Sequence, residues 1–241
     1  MLTSLTPSDV ETLNQELSGL NAGQRVAKLY EEFGEKVVAS TSFGLQASVM
    51  LQLIAEHAPK VPVVFVDTGY NFPETYKYID SLLGMLDLNV KFYAPQFTAA
   101  QQEARWGKRW ELGEEEMQKY AILNKVEPMN RAITELNAEV WLSGLRRSQS
   151  STRANRDFTE QQGNILKAYP ILDWPDAQVE HFMLKNSLPS HPLASKGYVT
   201  MGDWHSTRPM TDGVSAEETR FGGNKYECGL HIETNDSDYQ I

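Results

Sequence analysis

Cysteine is almost absent from this chain: of its 241 residues, only Cys228 carries a thiol. One thiol cannot close a disulfide within its own chain, so two-electron chemistry at this sulfur must be completed by another molecule. A single cysteine and five scattered histidines also lack the spacing of zinc or iron–sulfur ligands. The sequence therefore predicts no metal site, and Cys228 is either a nucleophile or a small packed side chain.

Positive charge is scarce as well, with 22 Lys and Arg against 32 Asp and Glu and a formal net charge of -10. Nucleic acid is bound through basic surface that neutralises its phosphates, so it is not an expected partner. An anionic ligand of such a chain has to be held by local clusters of arginine and lysine.

Long apolar runs are missing from the start of the chain, where Asp9, Glu11 and Glu16 interrupt the sequence. This pattern predicts neither a secretory signal nor a membrane span. A chain with one cysteine and no export signal is expected in the reducing cytoplasm. Its length, with 41% hydrophobic and 22% charged residues, is typical of one globular α/β domain.

Strand-like and helix-like segments alternate along most of the chain. Apolar and β-branched runs predict strands at 37–39, 61–66, 90–94, 139–143 and 165–171. Helices are predicted at about 8–18, 22–33, 73–83, 97–105, 114–136 and 175–186, with a further one ending near 57. The alternation predicts an α/β fold with a mostly parallel sheet flanked by helices. Ligands of such sheets bind at the carboxyl ends of the strands, near a switch in strand order.

The chain becomes irregular and rich in glycine and proline beyond Leu188. Residues 211–241 contain too few apolar side chains to build a core of their own. They are predicted to form a C-terminal arm on a body made by residues 1–210.

Two short loops follow the first two predicted strands. Ser42–Phe43–Gly44 precedes a helix, where backbone N–H groups can cradle an anion, although plain α/β proteins use the same kind of turn. The loop matches neither GxGxxG nor a Walker loop, which disfavours dinucleotide cofactors and ordinary kinase chemistry. Asp67–Thr68–Gly69 lies at the same edge, where it either contacts a base or ribose or simply caps a turn.

A basic segment follows the fourth predicted strand. Residues 144–156 contain Arg146, Arg147, Arg153 and Arg156 and no acid. Because arginine makes planar bidentate contacts to phosphate and sulfate, the segment is a candidate anion site, with a solvated basic loop as the alternative.

Five motifs together resemble one family. They are SFG at 42–44, VDTG at 66–69, NKVEPMNRA at 124–132, GLRRSQSSTRA at 144–154 and ECGLH at 227–231. In these the chain is similar to assimilatory phosphoadenylyl-sulfate (PAPS) reductases, which are thioredoxin-dependent. The resemblance implies an adenine-nucleotide alpha-hydrolase-like fold, a homodimer and a nucleophilic Cys228 on a flexible C-terminal arm. The related adenylyl-sulfate reductases carry further cysteines for a [4Fe–4S] cluster, and this chain has none of them.

The implied reaction reduces 3′-phosphoadenylyl sulfate to sulfite and adenosine 3′,5′-bisphosphate, as in sulfate assimilation and cysteine biosynthesis. Cys228 would form an S-sulfocysteine, and reduced thioredoxin, or glutaredoxin in its place, would release sulfite. No bound cofactor is expected. The candidate substrate-binding residues are Ser42, Phe43, Gly44, Asp67, Thr68, Gly69, Lys125, Arg146, Arg147, Gln149, Ser150, Arg153, Arg208 and Arg220.

Two other functions stay open at this point. The first is an adenylating or sulfur-insertion enzyme that uses ATP and Mg²⁺. Against it, residues 42–48 lack the second glycine and the aspartate of the SGGxDS pyrophosphatase pattern. The second is a nucleotide-binding sensor with an acidic tail, which leaves Cys228 without a role. His231, three residues after Cys228, suggests a Cys/His dyad, but adjacency in sequence is weak support for one.

Overall fold

The computed structural model describes residues 5–213, 215 and 217–220. The helices of this part are α1 (Pro7–Ser18), α2 (Ala22–Phe33), α3 (Ala47–His57), α4 (Pro73–Met85), α5 (Ala99–Trp106), α6 (Glu114–Ala121), α7 (Glu127–Glu135) and α8 (Asp176–Lys185). The strands are β1 (Val37–Thr41), β2 (Pro62–Val66), β3 (Asn89–Tyr93), β4 (Val140–Leu142), β5 (Thr159–Gln162) and β6 (Ile165–Ala168). None of these helices is both long and apolar enough to cross a bilayer.

Local capping fixes the first helices. Thr6 and Asp9 form a capping box at the start of α1, with Pro7 in its first turn, and Asn21 and Gln24 form another at the start of α2. Each pair satisfies backbone N–H groups that have no partner within the helix. The predicted bounds of these two helices are therefore confirmed to within a residue.

The six strands form one sheet in the order β3-β2-β1-β4-β6-β5. All neighbouring pairs are parallel except β5 with β6, which is antiparallel. Along the chain, β2 and β3 are added on one side of β1, and β4 is then added on its other side. This reversal places a switch point between β1 and β4, where their carboxyl ends open a crevice.

The core lies on both faces of the sheet. Along β1, Val37 and Ala39 belong to the larger apolar cluster, which includes side chains from α1 to α4 and α8. Val38, between them, points to a smaller cluster with Met129 of α7 and Trp141 of β4. Successive side chains alternate in this way along a strand, and a parallel sheet covered on both faces therefore reads as a continuous apolar run.

Three elements differ from the sequence prediction. The helix predicted at 114–136 is interrupted by a π-helical turn, Ile122–Val126, between α6 and α7. Strand β5 was not predicted, because its residues, Thr159–Gln162, are polar and short and become a strand only by pairing with β6. In addition, the strand expected at 165–171 ends at Ala168.

Candidate active site at the carboxyl edge of the sheet

The loop after β1 contains a buried phenylalanine with an unusual backbone conformation. Phe43 adopts a left-handed backbone (φ 46°) and is fully buried, with its ring 5.2 Å from that of Phe65. Its N–H donates to Thr41 Oγ1, and Ser42 is left exposed at the tip. Gln46, the residue before α3, makes no side-chain cap bond. The loop therefore presents an exposed hydroxyl and a helix N-terminus at the switch point, as an anion site requires.

The loop after β2 is braced by Asp67. Its Oδ1 atom accepts hydrogen bonds from the backbone N–H of Gly69, from Asn71 and from the Tyr76 hydroxyl. Gly69 has φ 76°, a conformation that glycine adopts without strain. Asp67 is thus committed to shaping the turn, whereas the buried Thr68 donates to Asp203 Oδ1 at 2.6 Å.

Arg146 joins the loops that follow β1 and β4. Its side chain is 3% exposed. It donates to Ser148, to the Trp174 carbonyl, to Asp176 and to Gln46 of the β1 loop. The sequence predicts that this guanidinium binds substrate. In the structure its hydrogen bonds are largely taken by the protein, so its geometry is that of a brace between two loops.

Arg147 and Arg153 differ in what they hold. Arg147 donates from Nε and Nη2 to the Arg156 carbonyl, and its guanidinium lies over the Phe158 ring. Arg153 donates to Gln149 Oε1, which also accepts from the backbone N–H of Arg146. The predicted basic cluster is therefore not a loose solvated loop, because all four of its arginines have specific protein partners, Arg156 through Glu160. Ser150, which is buried, caps the following turn by accepting from Thr152 N–H.

A buried ion pair lies behind the β2 loop. Lys125, in the π-helical turn, places Nζ 2.7 Å from Asp203 Oδ2, and the Tyr120 hydroxyl donates to the same oxygen at 3.0 Å. Asp203 is only 2% exposed. Burial alone would raise the pKa of this carboxyl, but the Lys125 ammonium and the Lys125 and Thr68 hydrogen bonds outweigh it and hold the pKa at about 2. Asp203 is therefore ionised, and both burial and its charge raise the pKa of Tyr120.

His205 packs in an aromatic cluster beside this pair. Its ring stacks on Trp110 with centroids 3.9 Å apart, and Nε2 lies 3.1 Å from the Tyr120 hydroxyl. Tyr70 and Trp204 complete the cluster. Burial lowers the pKa of His205 to about 4, although the nearby Asp203 charge favours its protonated form. The imidazole is therefore neutral at pH 7.

The described start of the predicted arm packs against the body. The guanidinium of Arg220 is largely buried and donates to the Met201 carbonyl, while Arg208 N–H donates to the Thr219 carbonyl at 3.1 Å. Thr207 and Arg220 form an isolated antiparallel bridge. Met201 in turn lies against the β1 loop, since a Cβ at Gly44 would be 3.8 Å from Met201 Cβ. Arg208 is exposed and donates to the Glu218 carbonyl.

The site therefore has three parts that meet at one edge: the β1 and β4 loops joined by Arg146, the Lys125–Asp203 pair, and the segment carrying Arg208 and Arg220. Cys228 and His231 lie outside the described residues. Within the part of the chain that is described, no group of three or more His, Cys, Asp or Glu side chains could hold a metal ion.

Comparison with known sequences decides the family. The sequence model of the phosphoadenosine phosphosulfate reductase domain matches residues 36–209. The chain is 47% identical to a phosphoadenosine 5′-phosphosulfate reductase of Photobacterium profundum, with 94% of this chain and 89% of that protein covered. It is 49% identical to one of Escherichia coli O9:H4, with 90% and 89% covered. The chain belongs to the phosphoadenosine phosphosulfate reductase family.

Solved structures agree with this assignment. The phosphoadenylyl-sulfate reductase of Candida auris, solved as a phosphate complex, is 30% identical, with a TM-score of 0.74, and the match covers 85% of this chain and 98% of that one. A yeast FAD synthetase in complex with FAD, 15% identical with a TM-score of 0.57, shares the fold over 85% of this chain and 70% of that one. The expected adenine-nucleotide alpha-hydrolase-like fold is confirmed.

Sequence reasoning missed Asp203, Tyr120 and Gln46. Asp203 is separated from Thr68 by 135 positions and from Tyr120 by 83, and Gln46 from Arg146 by 100. No local pattern marks such partners. The only signal was Asp203 itself, an acid between Gly202 and Trp204 in an irregular segment, which is equally typical of a surface turn.

Proposed function

We propose that this chain reduces 3′-phosphoadenylyl sulfate to sulfite, releasing adenosine 3′,5′-bisphosphate, with reduced thioredoxin as the electron donor. The observation that carries the proposal is the family match over residues 36–209, the body that forms the carboxyl edge described above. The reduced state of the donor makes the cytoplasm the proposed compartment.

The nucleotide is proposed to lie across the switch point between β1 and β4. The exposed tip at Ser42 and the N-terminus of α3 supply hydrogen-bond donors and the positive end of a helix dipole for a phosphate. The Candida auris reductase was solved as a phosphate complex, which supports phosphate binding by this chain.

The cations at this edge take two kinds of role. Arg146 and Arg147 are proposed to hold the loop after β4 in shape, because their guanidinium groups donate to protein oxygens. Arg208 and Arg153 are proposed to contact the phosphate and sulfonyl oxygens directly, while Lys125 and Arg220, which are paired with Asp203 and the Met201 carbonyl, are proposed to add positive charge to the edge. Of these, Arg208 is the most exposed, so it loses few protein contacts when it binds a substrate oxygen.

The chemistry is proposed to begin with the Cys228 thiolate attacking the sulfonyl sulfur of the substrate. A bond forms between the two sulfur atoms and the S–O bond to the nucleotide breaks, so the electron pair leaves with adenosine 3′,5′-bisphosphate. The sulfur is not yet reduced at this stage. A thiolate of thioredoxin then attacks Cys228 Sγ and sulfite leaves with the bonding pair. The partner's second thiolate resolves the mixed disulfide, which returns Cys228 and leaves thioredoxin oxidised.

The length of the chain between the body and the thiol allows this attack. Cys228 follows Arg220 by eight residues, which span at most about 26–29 Å when fully extended. Arg220 itself contacts Met201 beside the β1 loop. A tether of this length supports the proposal that Cys228 reaches the switch point.

The decisive experiment is incubation of the protein with 3′-phosphoadenylyl sulfate and reduced thioredoxin, with sulfite as the measured product. ATP with Mg²⁺ serves as the control nucleotide, and adenylyl sulfate tests whether the 3′-phosphate is required. Without reductant, mass spectrometry is expected to show one added SO₃ per chain, on Cys228. Cys228→Ser is expected to abolish sulfite formation and to leave nucleotide affinity within a few-fold. Substantial turnover by the serine variant would rule out the covalent step.

A further inference from the structure

Asp203 is a buried charge for which the proposed chemistry has no direct use. It lies in the segment 200–208, here named the bridging segment, and its carboxylate is 2% exposed. Burying an ionised carboxylate costs several kcal/mol unless it is paired and hydrogen-bonded. The partners that Asp203 requires for this reason indicate what it holds together.

On one side, Asp203 is bonded to the substrate edge by three different elements. Thr68 of the β2 loop donates at 2.6 Å, Tyr120 at the end of α6 donates at 3.0 Å, and Lys125 of the π-helical turn pairs at 2.7 Å. The next residue, Trp204, donates its N–H to the Tyr70 carbonyl at 2.9 Å. The bridging segment is thus held against the loop that follows β2.

On its other side, the bridging segment holds the described start of the arm. Thr219 is 1% exposed and its hydroxyl lies 2.8 Å from that of Thr200. Arg208 N–H donates to the Thr219 carbonyl, and Arg220 donates to the Met201 carbonyl at 2.6 Å. Continuous contacts therefore run from the β2 loop through Asp203 to Arg220, eight residues before Cys228.

We infer that Asp203 is a positioning residue, whose carboxylate fixes the start of the C-terminal arm relative to the bound nucleotide. The inference rests on the proposed function only in that the arm delivers Cys228 to the sulfonyl sulfur. Asp203 does not touch the reacting atoms. It aligns the attack in which the Sγ–S bond forms and the S–O bond to the nucleotide breaks.

A substitution that keeps the charge of Asp203 but moves its carboxylate distinguishes a positioning role from simple charge balance. If Asp203 only neutralised Lys125, a glutamate in its place would serve as well, because it carries the same charge. A glutamate, however, moves the carboxylate outward by one methylene, about 1.5 Å. A displacement of about 1 Å can cost a rate of about 100-fold when reacting groups must be aligned. Asp203→Glu is therefore expected to be nearly as impaired as Asp203→Asn.

The test uses the full-length protein and the variants Asp203→Asn, Asp203→Glu and Tyr120→Phe. Tyr78→Phe is the matched control, because Tyr78 is a buried phenol that donates to the Pro189 carbonyl, away from Asp203. Three quantities are measured: the Kd of adenosine 3′,5′-bisphosphate, the single-turnover rate of Cys228 sulfonation, and amide exchange at Arg208 and across 217–220.

Both Asp203 variants are expected to lower the sulfonation rate by about 100-fold, with the nucleotide Kd within a few-fold of wild type and faster exchange at Arg208. Tyr120→Phe is expected to show a smaller loss of the same kind, and Tyr78→Phe none. A wild-type sulfonation rate in Asp203→Asn, or full recovery in Asp203→Glu, would overturn the inference. The inference would also be overturned if the Asp203 variants and Tyr120→Phe all lost nucleotide affinity, sulfonation rate and thermal stability in parallel. Such a result would mean that Asp203 has a purely structural role. If wild type itself formed no sulfite, the proposed function would fail, and the exchange data would still decide whether Asp203 holds the arm.

Discussion

Two arginines at the candidate site show how burial divides the roles of identical charges. Arg146 is 3% exposed and donates to acceptors from two loops and from the start of α8. Arg208 is exposed and donates to one backbone carbonyl. A guanidinium with many buried acceptors stabilises the fold, whereas an exposed one can exchange its partner for a ligand.

Arg146→Ala is expected to lower the free energy of unfolding by at least about 2 kcal/mol, because the Trp174 carbonyl and Gln46 lose a charged donor. Arg208→Ala is expected to change stability by less than about 0.5 kcal/mol and to weaken substrate binding by about 1.5–3 kcal/mol. Denaturant unfolding and steady-state kinetics measure the two effects. If Arg146→Ala remained as stable as Arg208→Ala, the brace between the loops would not exist.

His205 makes the stability of the protein depend on pH. Its folded pKa of about 4 lies below the usual value of 6.5, so the unfolded chain takes up a proton first as the pH falls. Stability is therefore lost between about pH 6.5 and 4, by on the order of 2 kcal/mol given the partial exposure of the ring. Asp203, with its pKa of about 2, contributes stability that is lost only below about pH 3.8.

His205→Gln is expected to flatten the dependence of stability on pH between 6.5 and 4. His181→Gln, at an exposed position of α8, is the matched control. Urea unfolding at half-unit pH steps compares the slopes of the two variants with that of wild type. Equal slopes in His205→Gln and wild type would mean that another group controls stability in this range.

At the scale of elements, irregular backbone does the positioning. The π-helical turn places both Asn124 and Lys125 inward, where Asn124 bonds Gln102 and the Tyr120 carbonyl. Such turns insert a residue into a helix and are frequent at functional sites. The bridging segment acts similarly: Gly202 leaves room for the Arg220 guanidinium, and a Cβ there would lie 2.6 Å from Nη2.

Gly202→Ala is expected to displace Arg220 from the Met201 carbonyl and to reduce the rate of Cys228 sulfonation without changing any charge. Gly84→Ala is the control, because a Cβ at that helical position meets nothing within 4 Å and is expected to stabilise α4 by about 0.5–1 kcal/mol. Single-turnover kinetics and thermal unfolding measure both. Undiminished sulfonation in Gly202→Ala would show that the Arg220 contact does not align the arm.

At the scale of the whole molecule, the body forms the substrate edge and the arm is proposed to supply the nucleophile. The predicted division between residues 1–210 and 211–241 stays a prediction. The described residues indicate where the chain should be truncated to test this division, because Thr219 and Arg220 contact the bridging segment. The homodimer likewise stays a prediction, to be tested by sedimentation.

A chain ending after Arg220 is expected to stay folded, to bind adenosine 3′,5′-bisphosphate within a few-fold of the full-length protein, and to form no sulfite. A chain ending after Gly213 also lacks Thr219 and Arg220, and it is expected to melt at lower temperature. Calorimetric titration, a sulfite assay and thermal unfolding distinguish the two. Retained turnover in the shorter chains would place the nucleophile outside the arm.

The sequence by itself determined the alternation of strands and helices, the mostly parallel sheet and the edge at which the loops meet. These features follow from local periodicity, capping residues and β-branched runs, which act over a few residues. The single cysteine and the ECGLH motif likewise indicate the family, because a short motif can be recognised without knowledge of the fold. Cys228 as the nucleophile remains a proposal, since it lies outside the described residues.

Only the tertiary structure decided which charged groups are committed to the fold. Arg146 and Arg147 were indistinguishable in sequence from ligand-binding arginines, and Asp203 from a surface acid. The strand β5 and the π-helical turn were also decided by packing, since neither has a strong local preference. The physical reason is distance along the chain: Asp203 meets Thr68 across 135 positions, and the cost of burying its charge is offset only when the folded chain brings Thr68, Tyr120 and Lys125 to it.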